Sequence, residues 1–410
     1  MLDIKFIREN LKNVENMLSK RRAKIDLTHV IEIDDTRRKL IKEVEELRRE
    51  RKEASSEKNI AKGREIKEKV AKREAALAAV EGELQDYLEQ IPNMLSEKVP
   101  PGNNEEENVE IKKWGEPRKL DFEPKDHLAL SRELGIIDVE AASKTSGHGF
   151  YYLIGDGARL EIALVHWVTD FLSQKGYRAL IPPALVRKKF VEGTGYLPRR
   201  EEPDIYKIEG EDLYLVATAE ISIAGYHSDQ IFADKELPKK YVGFSPSFRK
   251  EAGSYGKYTH GIYRVHQFDK VEIFKFVLPE DSESAFEEII SLEEEIYQAL
   301  EIPYRIVNIC SGEMSSAASL KYDIEYYDPV NKTYRELTSA SNTTDYQARR
   351  LNIKFRNTKG DLEFIHTLNG TAIALSRTLI ALLENHQQKD GSVRLPKVLH
   401  EFLGKDTLQR

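Results

Sequence analysis

Apolar residues recur at alternating steps of four and three along two stretches of the N-terminal quarter. The first runs Ile33, Arg37, Leu40, Val44, Leu47, Arg51, Ala54, and the second Ile66, Val70, Arg73, Leu77, Val80, Leu84, Tyr87, Ile91. Charged residues fill many of the other positions, so each run reads as the a/d seam of a coiled coil. Ser55, Ser56, Asn59 and Gly63 interrupt the pattern between them and predict a turn. The spacing therefore predicts an antiparallel two-helix arm. From Ile66 to Ile91 its second helix would be about 38 Å long at 1.5 Å per residue. Pro92 closes it, because proline cannot continue the hydrogen-bond ladder.

From about residue 115 the pattern changes. Leu160, Ala163, Leu164, Trp167, Val168 and Phe171 have helical spacing and end at Gly176. A strand-like stretch, Arg178 to Ile181, runs into Pro182-Pro183. Further strand-like stretches follow at 213–216, 241–248 and 263–274, separated by loops. Strands mixed with long helices predict an α+β domain built on a largely antiparallel β-sheet flanked by helices. The cluster Pro100, Pro101, Gly102, Asn103, Asn104, followed by the acidic Glu105, Glu106 and Glu107, predicts the division: residues 1–104 as a helical domain with its arm, and 105–410 as the α+β core.

A chain of 410 residues suits two or three domains. No apolar run approaches the ~18 residues of a membrane span. The opening MLDIKFIREN lacks a basic segment followed by an apolar one, so no secretory signal is expected, nor does it resemble an organelle transit peptide. The single cysteine, Cys310, excludes an internal disulfide and a multi-cysteine metal site. The expected location is the cytoplasm. A net charge of −7 argues mildly against nonspecific nucleic-acid binding, but the charge is uneven. Between Arg48 and Arg73 eleven basic residues face five acidic ones, a local +6. Such a helix pair is either a solvated surface or a basic arm that tracks a phosphate backbone, and taken alone it leaves both open.

The common nucleotide motifs are missing. There is no P-loop, and Gly155-Asp156-Gly157 and Gly193-Thr194-Gly195 lack the third glycine of a dinucleotide fingerprint. His400-Glu401 has no second histidine to complete a metalloprotease pair. The most informative stretch is Phe248-Arg249-Lys250-Glu251, a loop with Gly253, Gly256 and Gly261, and then 264–272. Read as two strands, period two puts Arg249 and Glu251 on one face, and Arg264, Phe268 and Glu272 on one face. That spacing suits a ligand with an aromatic ring at one end and an amine or hydroxyl at the other, with arginines for phosphate. It equally describes a hairpin with an exposed, salt-bridged face.

This stretch resembles motif 2 of the class II aminoacyl-tRNA synthetases, and its wording is similar to the seryl-tRNA synthetase family. The resemblance covers nearly the whole chain. The N-terminus and basic arm resemble that family's tRNA-binding domain, and the linker around 91–117 is similar too. GYRALIPPALV at 176–186, continuing into GTGYLP at 193–198, resembles motif 1. Thr218-Ala219-Glu220 resembles the serine-binding element, and Glu336-Leu337-Thr338-Ser339 with SNTTDYQARR a further active-site segment. LNGTAIALSRTLIALLEN at 368–385 resembles motif 3.

The resemblance implies an ATP-dependent ligase that activates L-serine as seryl-adenylate and transfers it to the 3′ end of tRNA-Ser, with tRNA-Sec as a further acceptor. It implies that Arg249 binds the α-phosphate and the seryl carboxylate, and that Arg377, six residues into a motif 3 helix, binds the γ-phosphate. Phe268 would stack on adenine, with Lys250, Glu251, Arg264, Val265, Leu337 and Thr338 lining the nucleotide. Glu336 and Ser339 would hold Mg²⁺. Thr218, Ala219, Glu220, Glu272, Asn369 and Thr371 would form the serine pocket, with Glu272 counted alongside Arg249 and Arg377 as catalytic. Asn369 and Thr371 have an alternative reading as helix caps, since Asn-Gly-Thr opens what reads as a helical run. The motif 1 region would form a homodimer interface, the arm would bind tRNA-Ser, and neither zinc, an editing domain nor a membrane is expected. Cys310 is expected to be an ordinary buried thiol. A relative that no longer charges tRNA is the alternative class, and such a protein should lack Arg249, Arg377 or the basic arm. The chain departs from the family's usual wording at Tyr258-Thr259-His260, where Asp-Thr-Arg is common. It departs also at Ala340 and Thr343, where cysteine is frequent, and at Gly149, where arginine is.

Overall fold

The computed structural model describes residues 2–56, 59–197, 204–251 and 261–410. Glu57 and Lys58 of the arm's turn, Pro198 and, in the motif 2 loop, Gly253, Gly256, Tyr258, Thr259 and His260 lie outside the described residues. The chain divides into two compact units, Met1–Met94 and Leu95–Arg410.

The first unit is helical: α1 (Ile4–Glu9), α2 (Leu11–Lys20), α3 (Leu27–Ser56) and α4 (Ile60–Gln90). Helices α3 and α4 pack along each other as the heptads predict, burying Ile33, Leu40, Val44 and Ala54 against Ile66, Val70, Leu84 and Leu88. Asn59 caps α4 by accepting the Lys62 amide at 3.1 Å. The seam is not continuous. Arg51 and Arg73 occupy seam positions yet are exposed, because an unpaired guanidinium is too costly to bury. Arg73 turns outward to Glu43 at 2.9 Å, and Arg37 pairs with the buried Asp34, which also receives Arg8 at 2.6 Å. Gly82 sits inside α4 with nothing within 4 Å of where a Cβ would lie. Gly82→Ala is therefore expected to stabilise the helix by about 0.5–1 kcal/mol, slowing exchange of neighbouring amides by about two- to fivefold. Hydrogen exchange of the intact chain measures this directly.

The second unit is built on an eight-stranded sheet. Its strands are β1 (Val109–Trp114), β2 (Arg178–Leu180), β3 (Lys239–Phe248), β4 (Gln267–Val277), β5 (Tyr304–Asn308), β6 (Leu320–Asp328), β7 (Thr333–Thr344) and β8 (His366–Ala374). They lie in the order β1-β5-β6-β7-β8-β4-β3-β2, antiparallel throughout except for the parallel β2–β3 edge. The helices that frame the sheet and its site are α5 (Asp156–Gln174), α6 (Lys188–Thr194), α7 (Ala219–Tyr226), α8 (Ser282–Ala299), α9 (Tyr346–Leu351) and α10 (Leu375–His386). Leu164 and Val168 of α5, Phe286 and Ile289 of α8 and Leu379 and Leu383 of α10 meet strand residues such as Val271, Ile273 and Ile324 in one core. Helix α8 comes so close to β8 that a Cβ on Gly370 would stand 2.3 Å from Ile289 and 2.6 Å from Glu293 Oε1. Only glycine fits there. No described helix is long and apolar enough to cross a membrane.

Three expectations shift. The compact core begins at Leu95, ten residues before the expected division, because the Pro100–Asn104 loop is tied down: Ser96 N donates to Ser319 O at 2.9 Å, and the 311 and 312 amides donate to Pro100 and Gly102. The strand expected from Tyr263 starts at Gln267, and Arg249, Glu251 and Arg264 lie beyond the paired strands, with Glu251 at φ +50. Leu213–Leu215 pairs with Leu185–Arg187 in a separate ribbon.

Candidate active site

A cavity of about 360 Å³ opens over β4, β7 and β8. Of the residues expected to act, Glu220, Arg249, Glu251, Val265, Phe268, Glu272, Glu336, Leu337, Thr338, Ser339, Asn369, Thr371 and Arg377 line it. Residues that are distant in sequence are thus brought together. Thr218, Ala219, Lys250 and Arg264 are not among its lining. Thr218 is buried and caps α7, accepting the Glu220 amide at 3.2 Å. Ala219 is buried as well, the Lys250 amide is bound to Asp204 O at 3.0 Å, and Arg264 reaches Glu251 at 3.3 Å.

Strand parity and one bulge explain the floor. Ser339, Ser341 and Thr343 alternate onto the cavity face of β7. Glu336 has the wrong parity to join them. The register between β6 and β7 shifts at this point, Ile324 facing Thr338 but Glu325 facing Glu336, and the extra residue turns Glu336 to the same face. On β8, Asn369 and Thr371 share one face by parity. The motif 3 helix begins only at Leu375, so Asn369 and Thr371 are strand residues rather than helix caps, and Arg377 is the third residue of the helix rather than the sixth. Strand β8 is buried on both faces, so its sequence carries none of the alternation that distinguishes a strand from a helix.

The cavity is electrostatically divided. At one end lie two buried carboxylates. Glu272 stands opposite Thr371 in register, and its Oε2 is 2.5 Å from Lys270 Nζ and 3.4 Å from Thr371 Oγ1. Burial lifts its pKa to about 7, Lys270 opposing and Glu220 adding to the rise. Glu220 is also pushed up by burial, against hydrogen bonds from Tyr196 and Gln347. At the other end Arg377 Nη1 is 2.9 Å from Glu336 Oε1, and its guanidinium lies over the Tyr263 ring at 4.7 Å. Although burial disfavours its charge, Arg377 and then Lys321 hold the Glu336 carboxyl down at about 2. Arg249 lies between, its guanidinium 5.3 Å from the Phe268 centroid and its backbone pinned by hydrogen bonds in both directions to His266. Gly149 explains one departure: it has φ +79, and a Cβ there would stand 2.6 Å from the His266 ring. Ala340, at another, is fully buried opposite Gly370.

A divalent ion would find oxygen donors here. Glu336 is ionised and Ser339 shares its face, a sparse set suited to Mg²⁺, which keeps several waters and uses substrate phosphates. Among the described residues no group of three or more His, Cys, Asp or Glu forms a closed metal cage. Cys310 is buried, with its thiol donating to Asn104 O at 3.3 Å.

Sequence reading missed Tyr196, Tyr263, Lys270, Lys321 and Gln347. Lys270 was accessible, since it alternates with Phe268 and Glu272. Tyr196 lies in the GTGYLP stretch and Gln347 in SNTTDYQARR, but nothing local says that they turn toward Glu220. Tyr263 lies under the Arg377 guanidinium and donates to Glu336 O at 2.8 Å.

Comparison with known proteins finds matches for both units of the chain. Residues 1–95 match the seryl-tRNA synthetase N-terminal domain, and residues 205–386 match the tRNA synthetase class II core domain (G, H, P, S and T). The serine–tRNA ligase of Rubrobacter xylanophilus is 47% identical, the match covering 100% of this chain and 99% of that protein. The crystal structure of seryl-tRNA synthetase from Pyrococcus horikoshii complexed with ATP superposes with a TM-score of 0.94 at 42% identity, over 100% of this chain and 99% of that one. The cytoplasmic serine–tRNA ligase of Naegleria fowleri in complex with AMP gives 0.90 at 37% identity, over the same shares of the two chains. With its helical arm, its antiparallel core and a cavity that gathers the motif residues, the chain belongs to the seryl-tRNA synthetase family.

Proposed function

We propose that the protein activates L-serine with ATP, forming seryl-adenylate and pyrophosphate, and transfers the seryl group to the 3′ end of tRNA-Ser. The observation that carries this is a cavity that joins paired carboxylates at one end to Arg249 and Arg377 toward the other, in a chain whose relatives bind ATP and AMP. A carboxylate oxygen of serine attacks the α-phosphorus and the bond to pyrophosphate breaks, so no proton needs to move. Catalysis is then chiefly positioning and charge neutralisation. Arg249 holds the seryl carboxylate beside the α-phosphate, where negative charge builds. Phe268 stacks on adenine, and Glu251, Val265, Leu337 and Thr338 border the nucleotide. Lys250 and Arg264 act from outside the cavity lining. Arg377, oriented by Glu336, meets the γ-phosphate. Mg²⁺, held by Glu336 and Ser339, would neutralise phosphate charge when bound. Glu220, Glu272, Asn369 and Thr371 receive the ammonium and hydroxyl of serine, while Thr218 and Ala219 set the start of α7. Zinc has no part in this scheme.

Alanine would leave these buried acceptors unpaired, a discrimination that reaches ~10⁴-fold in sites built for a hydroxyl. No separate editing step is then required. For tRNA, Arg49, Arg51, Lys52, Lys62, Arg64, Lys67 and Lys72 are exposed on the arm and suit a phosphate backbone. Ile181 in the motif 1 stretch and Ile162 on the preceding helix α5 are 81% and 69% accessible, and they support a homodimer contact there. A cytoplasmic location and a second acceptor, tRNA-Sec, follow from the same reading. Serine-dependent ATP–pyrophosphate exchange followed by charging of tRNA-Ser tests it, and exchange without charging would favour a relative that only adenylates.

The carboxylate end carries a pH prediction. Serine's ammonium is paired best when Glu272 is ionised, so raising the pH from 6 to 8 across its value of about 7 should lower the serine KM several-fold. The ATP KM should change little. Glu272→Gln should raise the serine KM and flatten this dependence, as steady-state exchange across that range will reveal.

A further inference from the structure

Glu220 is almost wholly buried, and the chain already occupies most of its acceptor capacity. Its Oε1 accepts from Gln347 Nε2 at 2.7 Å and Asn369 Nδ2 at 3.0 Å, and its Oε2 accepts from the Tyr196 hydroxyl at 2.7 Å. A carboxylate has about four lone-pair positions, so one is left, on Oε2, in a residue that lines the cavity. Gln347 is itself fully buried and fixed from behind. Its Oε1 accepts from Thr367 Oγ1 at 2.9 Å, and Thr343 Oγ1 donates to Thr367 O at 2.8 Å while lying 2.6 Å from Thr367 Oγ1. The carboxylate sets the directions. An ionised Glu220 can only accept, so the amide presents its NH₂ to it, and the amide oxygen then accepts from Thr367 Oγ1, whose lone pairs face the Thr343 hydroxyl. A flipped amide would set oxygen against carboxylate.

Resting on the reading of this cavity as the serine site, we infer that Gln347 is a positioning residue: through the Thr343–Thr367 hydroxyls it orients Glu220 to accept one hydrogen bond from a polar hydrogen of the amino acid. The relay draws on α9, β7 and β8, and none of Gln347, Thr343 or Thr367 was singled out for a role by motif. Thr343 is also a position where the family often carries cysteine, and its hydroxyl is a stronger donor than a thiol. The groups acting on Glu220 are Tyr196, Gln347, Asn369, Arg249, Lys270 and Glu272. Two of these are the donors that remain when Gln347 is removed, so Glu220 should stay in place but ionise less readily.

The test is exchange kinetics of the full-length protein with serine, read alongside thermal unfolding. Wild-type exchange comes first, since its absence overturns the reading of the site and not the relay. In Gln347→Leu the serine KM should rise about 20-fold or more with the ATP KM within twofold. The pH at which serine affinity is half lost should move upward, because a donor to a buried carboxylate has gone. Thr367→Val should raise the serine KM about three- to tenfold, and Thr367→Ser, which keeps the hydroxyl, should restore it. Equal losses for serine and alanine would assign the bonded hydrogen to the ammonium, and a loss for serine alone to the hydroxyl; both support the relay. A folded Gln347→Leu with serine KM within twofold of wild type overturns it. If that variant does not fold, equal serine KM values for Thr367→Val and Thr367→Ser overturn it instead.

Discussion

Arg249→Ala is expected to lower serine-dependent ATP–pyrophosphate exchange by about 10²–10³-fold, mostly in kcat, with unfolding temperature unchanged within a few degrees. The magnitude follows from removing one preorganised donor aimed at charge that develops in the transition state, about 2.7–4 kcal/mol. The structure explains why the loss is not compensated. Arg249 leaves β3 at a backbone pinned to His266, so its guanidinium has one place to be. Lys250 follows it, but the Lys250 amide is committed to Asp204 and its side chain is not part of the cavity lining. Lys270, a cation on β4 that also lines the cavity, is paired with Glu272 at 2.5 Å. Arg249→Lys should recover less than a tenth of the activity, because an ammonium cannot bridge carboxylate and phosphate as a planar fork does. Exchange rates at saturating and limiting serine separate the two effects, and a loss confined to the serine KM would contradict the assigned role.

Removing residues 36–88 and joining the stubs by a short flexible linker should leave exchange within about twofold while charging of tRNA-Ser falls by about 10³-fold or more. The first half follows from the division of the chain. Every described residue lining the cavity lies in Leu95–Arg410, and that unit has its own core. The second half follows from charge. The arm carries exposed basic residues along α3 and α4, Arg49, Arg51, Lys52, Lys62, Arg64, Lys67 and Lys72 among them, and each phosphate contact adds close to one unit of slope to the salt dependence of affinity. Wild-type charging should accordingly weaken steeply with salt, and the shortened protein's residual charging should not. Reversing Arg64, Lys67 and Lys72 to glutamate should produce an intermediate loss with no change in exchange. Charging that survives removal of the arm would contradict its assigned role.

The coiled-coil arm was legible because a two-helix seam writes its period into the chain. Its irregularities were not, since the seam arginines escape sideways to Glu43 and Asp34, which lie on no periodic position. The site was legible where residues fall in contiguous motifs, as Arg249 and Glu336 do. The backbone that presents those residues was not legible where a bulge reverses parity, as at Glu336, or where a strand buried on both faces loses its alternation, as at Asn369 and Thr371. Tyr196 and Gln347 illustrate the remaining gap. Their partner, Glu220, is brought to them by the packing of α6, α7 and α9, and long-range packing leaves no local trace in sequence.

The most direct test of the central claim is ATP–pyrophosphate exchange with serine, alanine, threonine and cysteine in parallel. Exchange with serine exceeding that with alanine by about 10³–10⁴-fold in kcat/KM is the expected result. No exchange with serine, or equal exchange with alanine, would contradict the account.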